Sequence, residues 1–135
     1  HNPDVTRFHL EMQNWLGFTL NAIDHIHGGE VFVPKCDAWN LMTLAEAFQL
    51  VVRDKSIVIA PPRNPDKVHE TLISEEESRS SIDLGWAYVI EPSEDVRKVW
   101  KYKPHEGSPV GGAVTSDKVR RLTIDELRTL IARTI

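Results

Sequence analysis

The chain is 135 residues long, with a formal net charge of -4, 41% hydrophobic and 27% charged residues. That length suits one domain able to bury its own core, and the composition is that of a globular chain rather than a disordered one. An acidic balance excludes a non-specific nucleic-acid binder, which needs a basic surface. The apolar runs fall far short of a membrane span. Cys36 stands alone, so no internal disulfide can form, and a packed thiol in a reducing compartment, the cytoplasm, is the expected setting.

In chain order, Pro3 keeps Asn2 out of helix, and the segment to Phe8 leads into the first periodic stretch. From Leu10 to Ile26, the positions Met12, Trp15, Leu16, Thr19, Leu20, Ile23 and Ile26 fall on one helical stripe. Gly17 costs this helix about 1 kcal/mol relative to Ala, and Gly28-Gly29 ends it. Glu30 to Val33 reads as a short strand closed by Pro34. Thr43-Leu44-Ala45-Glu46 has the spacing of a capping box and predicts a helix from Leu44 to about Arg53. The β-branched run Ser56 to Ala60 predicts a second strand. Strand, helix, strand over this distance implies a parallel pair joined by a right-handed crossover.

Pro61-Pro62 then delivers Arg63. Lys67 to Ile73 has the composition of two helical turns. Ser74 to Glu77 is a second capping box, and Trp86 to Glu91 alternates as a strand, with Trp86, Tyr88 and Ile90 on one side. Residues 93 to 122 read as a long irregular segment rich in Gly, Pro and charge. Thr123 to Glu126 is a third capping box, opening a helix with Ile124, Leu127, Leu130 and Ile131 on one face. These elements make an α/β fold, a small mixed domain built on a strand-helix-strand unit.

Two groups of residues carry possible chemistry. Arg63 and Asp66, three residues apart on a proline-rich loop, suit either a solvated turn or a site where Arg forks onto a phosphate and Asp accepts from sugar hydroxyls. His25, His27 and Glu30 could be metal ligands, but an H-x-H pair at a helix end points its rings apart, and zinc needs three or four converging ligands. Cationic His at a helix C-terminus is favoured by the dipole alone. His69 and Glu70 are adjacent and diverge on a helical turn. No G-x-G-x-x-G or G-x-x-x-x-G-K-[ST] loop and no Tyr followed four residues later by Lys is present, so the chain lacks the usual means of holding a dinucleotide and a complete catalytic apparatus.

Five stretches occur in a telling order: N-P-D-V-T-R-F (Asn2 to Phe8), G-G-E-V-F-V-P-K (Gly28 to Lys35), R-N-P-D-K-V-H-E-T-L-I-S (Arg63 to Ser74), W-A-Y-V-I (Trp86 to Ile90) and L-T-I-D-E-L-R (Leu122 to Arg128). Together they resemble the C-terminal, substrate-binding part of the UDP-N-acetylglucosamine 4,6-dehydratases and related nucleotide-sugar epimerases of polysaccharide biosynthesis, in the extended short-chain dehydrogenase/reductase superfamily. The resemblance implies that residues 1 to 135 form a single nucleotide-sugar-binding domain, either a fragment of a longer enzyme or encoded separately from its Rossmann half, which is absent here. NAD(P) and the catalytic Tyr and Lys are then expected on that missing half, with no cofactor in this chain. It implies Arg7 and Arg63 on the diphosphate of a UDP-sugar, Asp66 at the ribose hydroxyls, and Lys35 as the family's V-P-K lysine, with an N-terminal Rossmann domain and further copies of the chain as partners. One departure concerns the loop: Pro65 stands where the family has Gly, and its φ is locked near -65°. A non-catalytic binding or assembly module that has lost the chemistry is the alternative.

Overall fold

The computed structural model describes residues 4–52, 56–61 and 67–135. In chain order its elements are β1 (Thr6–His9), α1 (Met12–His25), β2 (Val31–Pro34), β3 (Asp37–Asn40), α2 (Leu41–Val51), β4 (Thr71–Ile73), α3 (Glu75–Ser78), β5 (Ser81–Asp83), β6 (Ala87–Ile90), α4 (Glu94–Trp100), β7 (Ser108–Pro109), β8 (Val114–Thr115) and α5 (Ile124–Thr134). The fold is a small mixed α/β arrangement in which β1 with β3, β2 with β6, and β5 with β6 and with β7 pair antiparallel. The chain divides into two compact units, His1–His9 with Asp37–Glu70 and Thr115–Ile135, and Leu10–Cys36 with Thr71–Val114.

In the first unit β1 pairs antiparallel with β3, Arg7 standing opposite Trp39. An isolated parallel bridge joins Ala38 and Arg121. The expected parallel crossover is not formed: β2 pairs antiparallel with β6. Residues 56–60 carry no strand, and Val58 and Ile59 are 82% and 72% exposed. A β-branched run becomes a strand only where it pairs with an edge, and residues 56–60 carry no strand pairing among the described residues. The first cap of the sequence reading also moves. α2 starts at Leu41 because Asn40, at the end of β3, caps it, its Oδ1 accepting from the N–H groups of Met42 and Thr43. Thr43 is thus already inside the first turn.

α5 begins where the sequence placed it. The Thr123 hydroxyl accepts from Glu126 N and the Glu126 carboxylate accepts from Thr123 N, a closed capping box. Its apolar face packs on α2, where Ala47, Leu122 and Leu127 are buried and Trp39, Leu44, Ile124, Leu130 and Ile131 pack around them.

In the second unit β6 is central, flanked by β2 and β5, with β7 on the outer edge of β5. Ala87 and Val89 are fully buried, so the small and β-branched side of β6 faces the core, while Tyr88 and Ile90 are half-buried. Trp86, just before β6, gathers Phe18, His25 and Phe32 around its ring at 5.4 to 6.0 Å. The Ser74 capping box opens α3 as expected. The stretch from 93 onward is less irregular than its composition suggests. It holds α4, whose Arg97 is tied to Pro92 O and Glu91, and the two short strands β7 and β8.

Candidate functional site

The site-bearing part of the first unit is built where β1 meets residues 67–70. That segment was expected to be helical. It is not, because its backbone groups are taken by neighbours: Thr6 N donates to Val68 O at 3.0 Å, and Ser116 N donates to Glu70 O at 2.9 Å. Backbone bonded outward cannot also close i to i-4 turns. The strand β4 follows at Thr71.

A short chain of hydroxyls locks this junction. Thr6 and Ser116 are fully buried. Thr6 Oγ1 lies 2.7 Å from Ser116 Oγ and 2.8 Å from His69 Nδ1, and Ser116 Oγ accepts from Glu70 N at 2.9 Å. Buried hydroxyls are tolerable only when so partnered. The network leaves Ser116 no exposure to a substrate, so it fastens 67–70 to β1 rather than acting as a nucleophile.

Arg7 sits beside it on β1. Its Nη1 donates to Thr6 O (2.7 Å) and Val68 O (3.2 Å), its Nη2 donates to Lys67 O (2.9 Å), and its Nε lies 3.4 Å from Glu70 Oε1. The guanidinium therefore rests on the carbonyls that immediately follow Asp66 in the chain. Arg63 and Asp66 themselves lie outside the described residues, as does Pro65.

Lys35 belongs to the second unit. It follows β2, and its Nζ pairs with both Asp83 oxygens, at 2.7 and 2.8 Å, and stands 4.9 Å from the centre of the Tyr88 ring. Burial alone would raise the Asp83 carboxyl, but hydrogen bonds from Lys35 and Gly85 N, with the charge of Lys35, bring it below the ordinary value. The lysine is thus charge-balanced within its own unit.

The second unit also holds a cluster that sequence reasoning only half saw. Glu30, whose side chain is fully buried, accepts from His27 N and Gly28 N and lies 3.3 Å from His105 Nε2. Burial pushes the Glu30 carboxyl up, yet the bonds from His27 N, His105 and Gly28 N hold it below its ordinary value. Gly28 and Gly29, both at positive φ, make the turn that aims these amides at it. A Cβ on Gly29 would lie 2.7 Å from Val96. The His27 ring stacks on that of His105, with centres 4.0 Å apart and planes at 3°, while His27 Nδ1 bonds Lys103 O. Donor atoms of His27, Glu30 and His105 lie within 4.8 Å of one another. Parallel stacked rings hold their lone pairs in separate planes, whereas a shared metal needs them to converge. The arrangement suits a carboxylate pinned by two backbone amides and the His105 imidazole, closing the α1-to-β2 turn. His25 is not part of it, its Nδ1 bonding Asn21 O. His105, 75 residues from Glu30, carries no sequence signal of this contact. Beside it the Tyr102 hydroxyl is pushed up to about 12, by burial first and then by the charges of Glu91 and Glu30.

A family model described as "Polysaccharide biosynthesis protein" matches residues 1–92. Among curated relatives, a UDP-N-acetylglucosamine 4,6-dehydratase (inverting) of Campylobacter jejuni subsp. jejuni (serotype O:23/36, strain 81-176) is 33% identical over 89 residues, 66% of this chain and 26% of that protein. A UDP-glucose 4-epimerase of Rickettsia canadensis (strain McKiel) is 30% identical over 132 residues, 96% of this chain and 39% of that protein. The chain thus spans well under half the length of the relatives it matches. The X-ray structure of Pen from Bacillus thuringiensis superposes with a TM-score of 0.75 at 24% identity, over 98% of this chain and 38% of that one, which shows a shared fold.

Proposed function

Because the chain belongs to the polysaccharide biosynthesis protein family, among the nucleotide-sugar dehydratases and epimerases of the extended short-chain dehydrogenase/reductase superfamily, we propose that it is the UDP-sugar-binding portion of an NAD(P)-dependent 4,6-dehydratase or epimerase. The observation that carries this reading is the seat of Arg7 on the carbonyls of Lys67 and Val68. Arg7 is thereby bonded to the two residues that follow Asp66 in the sequence, and the reading puts Arg7 and Arg63 on the diphosphate and Asp66 at the ribose. Lys35 belongs to the other unit, and its ammonium is committed to Asp83.

The chemistry belongs to a partner in this reading. NAD(P) and the proton-transferring residues reside on an N-terminal Rossmann domain or partner chain, and the enzyme works in the cytoplasm as a homo-oligomer. The exposed face of α1 supports a missing protein surface: Met12, Leu16, Leu20 and Ile23 are 58 to 80% exposed, and no residue of the helix is buried. None of its residues is Lys or Arg, unlike a helix made to lie on a membrane. No described helix is long and apolar enough to cross one.

The test is calorimetry of the chain with UDP and UDP-N-acetylglucosamine. Binding that Arg63→Ala weakens at least about tenfold, the loss expected for a charge-assisted phosphate contact, supports the clamp. Binding of neither ligand overturns it. That outcome favours the second reading, a binding or assembly module without the chemistry, for which the internal pairing of Lys35 speaks.

A further inference from the structure

The geometry points to Glu70 as a built-in competitor for the anion that Arg7 receives, and so as a residue that sets the affinity of the site. This inference rests on the nucleotide-sugar reading above. A guanidinium has five N–H groups. At Arg7, Nη1 spends its two on Thr6 O and Val68 O, and Nη2 spends one on Lys67 O. What remains for an incoming phosphate is Nε–H and the second N–H of Nη2. A carboxylate already stands at that point, with Glu70 Oε1 3.4 Å from Nε.

The position of Glu70 is not accidental side-chain wander. Its backbone is held on both sides by Ser116, through Glu70 N to Ser116 Oγ and Ser116 N to Glu70 O, each at 2.9 Å. The hydroxyl pair of Thr6 and Ser116 fixes that residue in turn to β1, the strand that carries Arg7. The carboxylate is thus presented to the guanidinium by fixed main chain on both partners. Yet the pair is loose: at 3.4 Å it is longer than a charge-assisted hydrogen bond, and the two side chains are 29% and 40% exposed. Exposed pairs of this kind contribute little, so a dianionic phosphate can displace the carboxylate. In the empty site Glu70 neutralises Arg7. In the filled site it is a second negative charge beside the diphosphate, which lowers affinity and favours release. The three carbonyl bonds are unaffected by the exchange, so Arg7 keeps its orientation throughout.

Titrating the chain and the Glu70→Gln and Glu70→Ala variants with UDP and with uridine, at low and at high salt, tests this. UDP is expected to bind about two- to fivefold tighter to both variants at low salt, the scale of an exposed ion pair. The gain should shrink at high salt, and uridine, which has no phosphate, should show none. UDP affinity that is unchanged or weaker in the variants, or a gain shared equally by uridine, overturns the competitor role. A wild-type chain that binds UDP while the variants bind no tighter defeats this inference alone. If neither wild type nor variants take up UDP, the nucleotide-sugar reading falls and carries this one with it.

Discussion

Helices α1 and α5 have similar sequence patterns and opposite fates. Each presents apolar residues at helical spacing on one stripe. In α5 that stripe lies on α2, with Leu127 2% exposed among Ala47, Leu122, Leu44 and Ile131. In α1 the helix leans on its own unit through Phe18 and His25, which meet Trp86, and the stripe from Met12 to Ile26 faces outward. The rule behind amphipathicity is that an apolar face must be covered. The rule does not say that the cover lies in the same hundred residues. α5 meets its cover within the chain, whereas α1 displays its apolar face to solvent.

The sharpest way to break this comparison is to truncate one leucine on each helix. Leu127→Ala is expected to cost about 2–5 kcal/mol, the range for a buried leucine whose site cannot fully collapse. Leu20→Ala, at a side chain 58% exposed, should stay within about 0.5 kcal/mol. Urea unfolding of the two variants reads both values. Equal losses would mean that the α1 stripe is covered in solution after all.

That outcome leads to a second measurement. An exposed stripe on an isolated chain should drive association, so sedimentation is expected to show a concentration-dependent shift to larger species. Leu16→Ser with Leu20→Ser should abolish the shift while leaving the unfolding midpoint within the small range of surface changes. A wild-type chain that stays monomeric at high concentration would contradict the exposed-stripe account.

How much of this was readable beforehand follows from the range of each interaction. The boxes at Ser74 and Thr123 were legible because donor and acceptor sit three residues apart, and the sequence carries both. Thr43 misled because Asn40, three residues earlier, offered a cap that β3 delivers into place, and nothing local announces β3. Ser56–Ala60 misled for the converse reason: propensity was present, but no pairing formed along these residues. α4 went unread inside a stretch rich in Gly and Pro, although Glu94 and Asp95 sit in its first turn and Arg97 and Lys98 in its last, an acid-then-base order that suits the dipole. The candidate site divides the same way. The ordered motifs pointed to Arg7 and Lys35, but their actual partners, Glu70 and Asp83, are 63 and 48 residues distant, and such contacts leave no spacing to count. His105 against Glu30 is the same case at 75 residues.

The smallest expected effect lies at the two helix starts. At α5 the Glu126 carboxyl is held below its ordinary value of 4.5, by Thr123 N first and then by Arg120. At α1 the residue in the corresponding N-cap place, Glu11, makes no side-chain cap bond. A carboxyl depressed in the folded state contributes stability that is fully present above its unfolded value and is lost as pH falls through the folded one. The Glu126 contribution is therefore intact at neutral pH and fades below about pH 4.5, in the direction of acid unfolding. In Glu126→Gln that part of the slope should vanish, so the melting temperatures of variant and wild type, separated at pH 7, should converge on acidification toward about pH 3. Since the side chain is exposed and its partner Arg120 is shared with Asp37, the separation should also narrow in salt. Melting curves that run parallel from neutral pH to acid would show that the box closes α5 geometrically without contributing to its pH dependence.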